Sequence, residues 1–336
     1  MPPRTNRLQH EDYTIGWISP LPIERAAAEA MLDEIHAVPN GFSTNETDTN
    51  IYIWGCIGEH NLVIASLAPD VYKLVYKVAT VTLLSLVASL PSIRFWLWVG
   101  IGSGIARPDK GWDIRLGDIV VGQPRGTVCH YDLVKASMGD ECVQKSFIGL
   151  PPGLFLSALT RIKAAHEQKG SKVPIFLQEM LMKNPQMRKT PNQDPGYTHQ
   201  GFENDRLFNA SCDHIPGPDC GGCDVGSEVQ RGPRDKTRPE IHYGIIASGN
   251  TPVKDAATRD RIVAEVGDDC ICMETEAGTL ISNFPCLMIR GICDYADSHK
   301  NDQWQRYASA TAAAYAKELL AYIPAAEVAR EIPIPG

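Results

Sequence analysis

The sequence predicts an α/β fold, a single domain built on a mixed β-sheet flanked by helices and interrupted by a loop-rich insertion. Three observations carry that prediction. Short apolar runs rich in β-branched and aromatic residues alternate with helical stretches, the pattern of a sheet with parallel members. The run Arg94-Phe95-Trp96-Leu97-Trp98-Val99 is almost continuously apolar, as a strand buried on both faces must be. Strand-like segments stand on both sides of a weakly patterned stretch from about residue 136 to 240, which therefore reads as an insertion and not as a domain boundary.

In chain order, residues 1–12 form a polar, flexible leader and residues 13–324 the domain, with residues 325–336 as a tail. Tyr13–Ile18 reads as the first strand, and Ser19-Pro20-Leu21-Pro22 turns into a helix running through Ile35. Pro22 suits a first helical turn, where a missing N–H loses no bond. Strands follow at Ile51–Ile57 and Leu62–Leu67, then a helix from about Val78 to Leu90 and the apolar strand already described. Gly100-x-Gly102-x-Gly104 reads as a ligand-facing loop after that strand, since glycines let a ligand approach the backbone closely; its spacing is not that of a dinucleotide-binding fingerprint. Asp118–Val121 is a further strand, Gly153–Gln168 the one good helix of the insertion, Ile241–Ser248 a strand, Asp255–Val266 a helix, and Asp269–Met273 a strand. A last strand begins at Cys286, and a helix spans about Gln303 to Tyr322.

Composition narrows the function. A hydrophobic fraction of 43% and a charged fraction of 21% over 336 residues are those of an ordinary globular protein with a sizeable core. A net charge of -8 argues against nucleic acid as a partner, for which a basic face is needed. No run reaches the length of a membrane span and the N-terminus lacks a secretory core, so a cytoplasmic protein without a membrane partner is expected. The ten cysteines are scattered, several within apparent strands, as suits reduced buried thiols better than a disulfide framework.

The chemistry points to strand ends. Cys286-Leu287-Met288-Ile289-Arg290-Gly291-Ile292-Cys293-Asp294-Tyr295-Ala296-Asp297 is an apolar strand ending on two acids, the place where open α/β sheets put their sites. An acid there also serves as a helix N-cap. A second acidic strand end, Cys272-Met273-Glu274-Thr275-Glu276, favours catalysis over capping. Glu24, near the start of the first helix, is by itself an acid stabilised by the helix dipole. Cys212-x-His214 followed by Cys220-x-x-Cys223 offers ligand types and spacing compatible with a structural zinc, and equally with unliganded thiols. Arg231, Arg234 and Arg238 read as a solvated basic loop; folded over a pocket they would suit a phosphorylated ligand.

Leu116-Gly117-Asp118-Ile119-Val120-Val121, Ile241-His242-Tyr243-Gly244-Ile245-Ile246-Ala247-Ser248-Gly249-Asn250 and Arg290-Gly291-Ile292-Cys293-Asp294-Tyr295-Ala296-Asp297-Ser298-His299-Lys300 together resemble the nucleoside phosphorylase and nucleosidase superfamily, nearest to fungal nucleoside-phosphorylase-like domains. The resemblance runs from about Tyr13 to Pro324 and extends to the methylthioadenosine/S-adenosylhomocysteine nucleosidases. It implies a small-molecule purine nucleoside as substrate, no cofactor needed for catalysis, and a homo-oligomer. By the same resemblance, Asp294 is the acid to N7 of the leaving purine, Glu276 grips the ribose hydroxyls with Glu274 in support, and Glu24 helps activate water. Gly100, Ile101, Gly102, Ser248, Gly249, Glu274 and Thr275 would line the nucleoside pocket, and Val253 would present backbone groups to the base edge.

These roles fit the reaction, since breaking an N-glycosidic bond requires a neutralised leaving base and a stabilised oxocarbenium-like sugar. Asp294 must then act protonated, with its pKa raised by burial or by a neighbouring negative charge such as Asp297. Trp98 and Ile101 stand where phosphorylases of the superfamily carry an arginine and a hydroxyl for phosphate, so hydrolysis is expected over phosphorolysis. Departures at Ala68–Leu74, Tyr131–Lys135, Pro252 and Thr275 border the expected pocket and leave open a different small-molecule substrate or a non-catalytic nucleoside sensor.

Overall fold

The computed structural model describes residues 8–66, 84–122, 128–130, 153–188, 195–217, 219–234, 236–249, 251–275 and 286–333. Ten strands occur among them in chain order: β1 (Ile15–Ile18), β2 (Glu34–His36), β3 (Tyr52–Ile57), β4 (His60–Ala65), β5 (Phe95–Gly104), β6 (Ile119–Gly122), β7 (Val128–His130), β8 (Ile241–Ser248), β9 (Cys270–Glu274) and β10 (Cys286–Asp294). The helices are α1 (Pro22–Met31), helical residues 84–89 as α2, α3 (Gly153–Lys169), α4 (Val173–Lys183), α5 (Ala256–Val266), α6 (Gln305–Leu320) and α7 (Ala325–Val328). The α/β architecture with a mixed sheet is thus as expected from the alternating pattern.

One half of the sheet is open and the other closes on itself. From β5 outward the order is β1, β4, β3, β2, with β1 parallel to β5 and β4 and the last two pairings antiparallel. From β5 the other way, β9, β8, β6 and β10 follow one another, and β10 then pairs parallel with β5. Those five strands form a closed ring, a device that leaves no free edge.

The length of β5 makes the closure workable. On one edge it holds β1 through Phe95–Trp98 and then β9 through Ser103 and Gly104, while its other edge holds β10 throughout. The Gly100-x-Gly102-x-Gly104 run is therefore not a loop, as its glycines suggested, but the continuation of this strand. Its glycines give way to neighbouring groups: a Cβ on Gly102 would stand 2.7 Å from the Cys272 sulfur.

Other boundaries shift for local reasons. The first helix ends at Met31 and not near Ile35, because Glu34–His36 leaves it to pair antiparallel with β3. Asp255 caps α5, its side chain accepting from the Thr258 N–H. The insertion holds a second helix, α4, beyond the one expected. It is fastened by buried Glu318 of α6, which accepts hydrogen bonds from Ser171 Oγ and the Lys172 N–H and pairs with His166. Residues 8–12 form a 3₁₀ turn and a bridge from Gln9 to Asn40, and Val328 of α7 is buried.

Helix α6 is the spine of one layer. Nearly all its residues are buried, because it lies on β10 and β5 with α1 and α4 packed against it. Its alanines permit that approach, and Gly291 of β10 completes it: a Cβ there would sit 1.8 Å from the Ala308 carbonyl oxygen. No helix among the described residues is long and apolar enough to cross a membrane.

Candidate active site

The carboxyl ends of β5, β9 and β10 converge with the start of α1 around a cavity of about 310 Å3. Its wall includes Leu21, Ile101, Gly102, Ser103, Pro252, Val253, Met273, Glu274, Thr275, Cys293 and Lys300. That volume lies at the small end of the range of ligand pockets.

Glu24 is placed beneath this cavity by the first helical turn. Its Oε2 accepts from the Leu21 N–H at 2.8 Å, as an acid three residues past an N-cap does, and Oε1 accepts from the Ile101 N–H at 2.7 Å. Burial pushes its carboxyl up to about 7, against the lowering influence of Arg290 and the two backbone donors. Gly100 leaves the room for this meeting, since a Cβ would fall 2.3 Å from Glu24 Oε1 and 2.5 Å from Arg290 Nη1.

Arg290 is the residue that sequence reasoning missed. It sits fully buried in the middle of β10, with Nη2 donating to Glu274 Oε2 at 2.9 Å and the guanidinium beside Glu24. A buried guanidinium persists only where anions compensate it. The signal was present in the sequence, an arginine within an otherwise apolar strand, and it went unused beside the more obvious acids.

Asp294 ends β10, opposite Ser103 of β5. Its Oδ1 accepts from the Ala296 N–H at 3.0 Å, and Oδ2 accepts from the Cys293 thiol at 3.2 Å and pairs with the Lys300 ammonium. Burial alone would raise this carboxyl, but Lys300, with the Ser103 hydroxyl and the Ala296 N–H, outweighs it and holds Asp294 below the usual carboxylate range. The expectation of a raised pKa is therefore corrected: in this state the proton resides on Lys300. Asp297 is not the source of a perturbation but a turn residue, accepting from the His299 N–H at 2.9 Å. Nor does Asp294 cap the following helix, whose N-cap is Trp304. Ala296 is the one non-glycine residue with positive φ (52°) among those described, so the turn bearing this acid is held in a conformation that L-residues seldom adopt.

Ile101, Gly102, Val253, Glu274 and Thr275 line the cavity, whereas Gly100 faces Glu24 and Arg290. Ser248 is buried, paired in register with Glu274, and Gly249 donates its N–H to the Glu274 carbonyl, so both support the wall from behind. Glu276, Asn250 and the segments 68–74 and 131–135 lie outside the described residues.

Two further motifs resolve differently. Asp118 is a structural hub, accepting from Arg234, His242 and the Arg115 and Glu240 N–H groups. Arg231, nearly buried, bonds to Tyr295 Oη and the Asp205 carbonyl and carboxylate. Arg231 and Arg234 thus form internal ion pairs, neither a solvated basic loop nor a lid over the cavity. Of the proposed zinc ligands, the structure brings together His214, Cys220 and Cys223, whose donor atoms lie within 4.8 Å of one another; Cys212 stands outside that group, 4.0 Å from His299 Nε2.

No family model matches the chain. A curated relative, a nucleotide-binding leucine-rich repeat-like protein of Hyaloscypha variabilis, is 38% identical over 323 residues, which make up 95% of this chain and 30% of the relative's length. Among solved structures, the 5′-methylthioadenosine/S-adenosylhomocysteine nucleosidase of Neisseria meningitidis, in complex with methylthio-immucillin-A, aligns at a TM-score of 0.54 and 15% identity over 91% of this chain and 98% of its own. Futalosine hydrolase of Helicobacter pylori aligns equally well, at a TM-score of 0.54 and 15% identity over 93% and 99% of the two chains. Over nearly its whole length the chain therefore shares the fold of these two solved structures.

Proposed function

We propose that the chain hydrolyses the N-glycosidic bond of a purine nucleoside, releasing free base and ribose. The observation that carries this reading is a pair of differently tuned carboxyl groups behind the wall of one cavity: Glu24, raised to about 7 and bonded to the lining Leu21 and Ile101 N–H groups, and Asp294, paired with the lining Lys300. Environments that push two acids apart divide the roles of base and acid between them.

Glu24, half ionised near neutral pH, is suited to take a proton from an attacking water, and Arg290 beside it orients that water while balancing Glu24 and Glu274. The Asp294–Lys300 pair holds one transferable proton where the leaving base would sit, and supplies it as the glycosidic bond breaks. Val253 backs the base, and Glu276 is assigned to the ribose hydroxyls on the strength of the resemblance alone. Water is favoured over phosphate because, among the described lining residues, Lys300 is the one cation, and it is already committed to Asp294. A phosphate dianion needs further positive donors.

Incubating the purified chain with a panel of purine nucleosides, including 5′-methylthioadenosine, with and without phosphate, tests this directly. Free base and ribose should form without phosphate, and Asp294→Asn should lower kcat/KM by about 10² to 10⁴. Product that appears only with phosphate would sink the hydrolytic assignment. Tight nucleoside binding without turnover in wild type would replace it with a sensor.

A further inference from the structure

We infer that the insertion carries a structural zinc site, with His214, Cys220 and Cys223 as three of its ligands and Cys212 as the fourth. The three donors come from one loop and already lie within 4.8 Å of one another. Donor atoms around a tetrahedral zinc stand about 3.4–3.8 Å apart, so closing on an ion needs shifts of about an ångström or less.

The surrounding hydrogen bonds are those that a ligand set requires. Cys220-Gly221-Gly222-Cys223 is wound into a tight 3₁₀ turn, with the Cys223 N–H donating to the Cys220 carbonyl and Asp219 capping the turn through Gly221. That turn directs both thiols of the Cys-x-x-Cys step to the same side, as structural zinc sites use it. His214 Nε2 lies 3.1 Å from the Asp219 carbonyl oxygen, and in the tautomer that donates there Nδ1 carries the ring's lone pair, the state a metal-binding imidazole needs. Cys223 is buried although its loop is not, and both cysteines are unbridged.

Cys212 and His299 flank the cluster, sulfur to Nε2 at 4.0 Å. His299 is stacked on Phe208 at 4.0 Å between centroids and 9° between planes, which holds its ring, whereas Cys212 is a free, half-buried thiol of the same loop and is the one assigned as fourth ligand. Thiolate and imidazole together select zinc over the hard cations.

The site would brace the proposed chemistry without entering it. The His214 N–H donates to Ser298 Oγ, and the Lys300 N–H donates to the Asp297 carbonyl, so the loop holding the metal is tied to the turn that presents Lys300 to Asp294. Metal content is measured independently of turnover, so the zinc assignment stands or falls apart from the nucleosidase assignment.

The test is metal analysis of the full chain, purified under reducing conditions without metal-affinity steps from zinc-supplemented cells. About one zinc per chain is expected. Cys223→Ser and Cys212→Ser should each cut retained zinc at least about tenfold, while Cys286→Ser, at the opposite end of β10 from Asp294 and in no cluster of ligand side chains among the described residues, should leave it unchanged. Cobalt substituted into the apo-protein should show the strong visible absorption and thiolate charge transfer of tetrahedral coordination, and chelation should lower Tm by about 5 °C or more. A wild-type chain that holds less than about a tenth of an equivalent and takes up neither zinc nor cobalt would overturn the site, as would a Cys220–Cys223 disulfide in protein isolated without reductant. Should a serine variant fail to fold, the cobalt spectrum of wild type still decides.

Discussion

At the level of single residues, the site rests on a division of protons that identity alone does not reveal. Glu24 and Asp294 are both buried carboxyls, yet one is raised and the other lowered, because Asp294 has an ammonium in contact and Glu24 shares its guanidinium with Glu274. If Glu24 must be ionised and the Asp294–Lys300 pair protonated to act, kcat/KM should rise with pH through about 7, level, and fall on an alkaline limb where the pair loses its proton. Glu24→Gln should remove the acid limb and cost about 10² to 10⁴ in rate, measurable as a pH–rate profile on any cleaved nucleoside. Lys300→Met should move the alkaline limb to lower pH: without the ammonium the proton passes to Asp294, which releases it more readily than Lys300 does. An unmoved alkaline limb would remove Lys300 from the mechanism. Asp294 and Glu274 stood out in the sequence by their position at strand ends, whereas Glu24 was singled out only through the family resemblance. Their protonation was not, because Lys300 lies six residues beyond Asp294 and meets it only through the turn at Ala296.

Among the elements, close approach does what side chains elsewhere do. Gly291 lets the α6 backbone rest directly on β10, so Gly291→Ala should drive helix and strand apart at the strand that carries both Arg290 and Asp294. A loss of about 3 kcal/mol or more is expected in urea denaturation, beyond ordinary overpacking because the obstacle is backbone and cannot rotate away. A second measure concerns the loop before β6. Burial would raise Asp118, but the hydrogen bonds from His242 and Arg234 outweigh it and hold the folded-state pKa below the unfolded value. Its contribution to stability is therefore present above the unfolded pKa and lost as pH falls through the folded one. Asp118→Asn should lower Tm at neutral pH, and the difference from wild type should shrink on acidification. The strands and helices flanking these contacts were readable from periodicity, Ile241–Ser248 to the residue. The glycine run of β5 was not, because glycines that bend a strand and glycines that form a loop look alike until the partners β9 and β10 are known.

On the scale of the whole molecule, alternating strands and helices announced an α/β sheet, but nothing local announced that half of it would close into a ring. Closure is a relation between β5 and β10, segments separated by the insertion and more, and hydrophobic patterns report burial without naming partners. The same separation contributes to Arg290 passing unnoticed: of the two acids that compensate it, Glu274 and Glu24, the second lies at the other end of the sequence. That pairing has a consequence in time. The proposed site draws on Glu24 of α1 and Asp294 of β10, far apart in the sequence, so the contacts that assemble it close long loops. Synthesis proceeds from Glu24 toward Asp294. Until β10 has emerged and taken its place beside β5, the growing chain has neither the ring nor the proposed site.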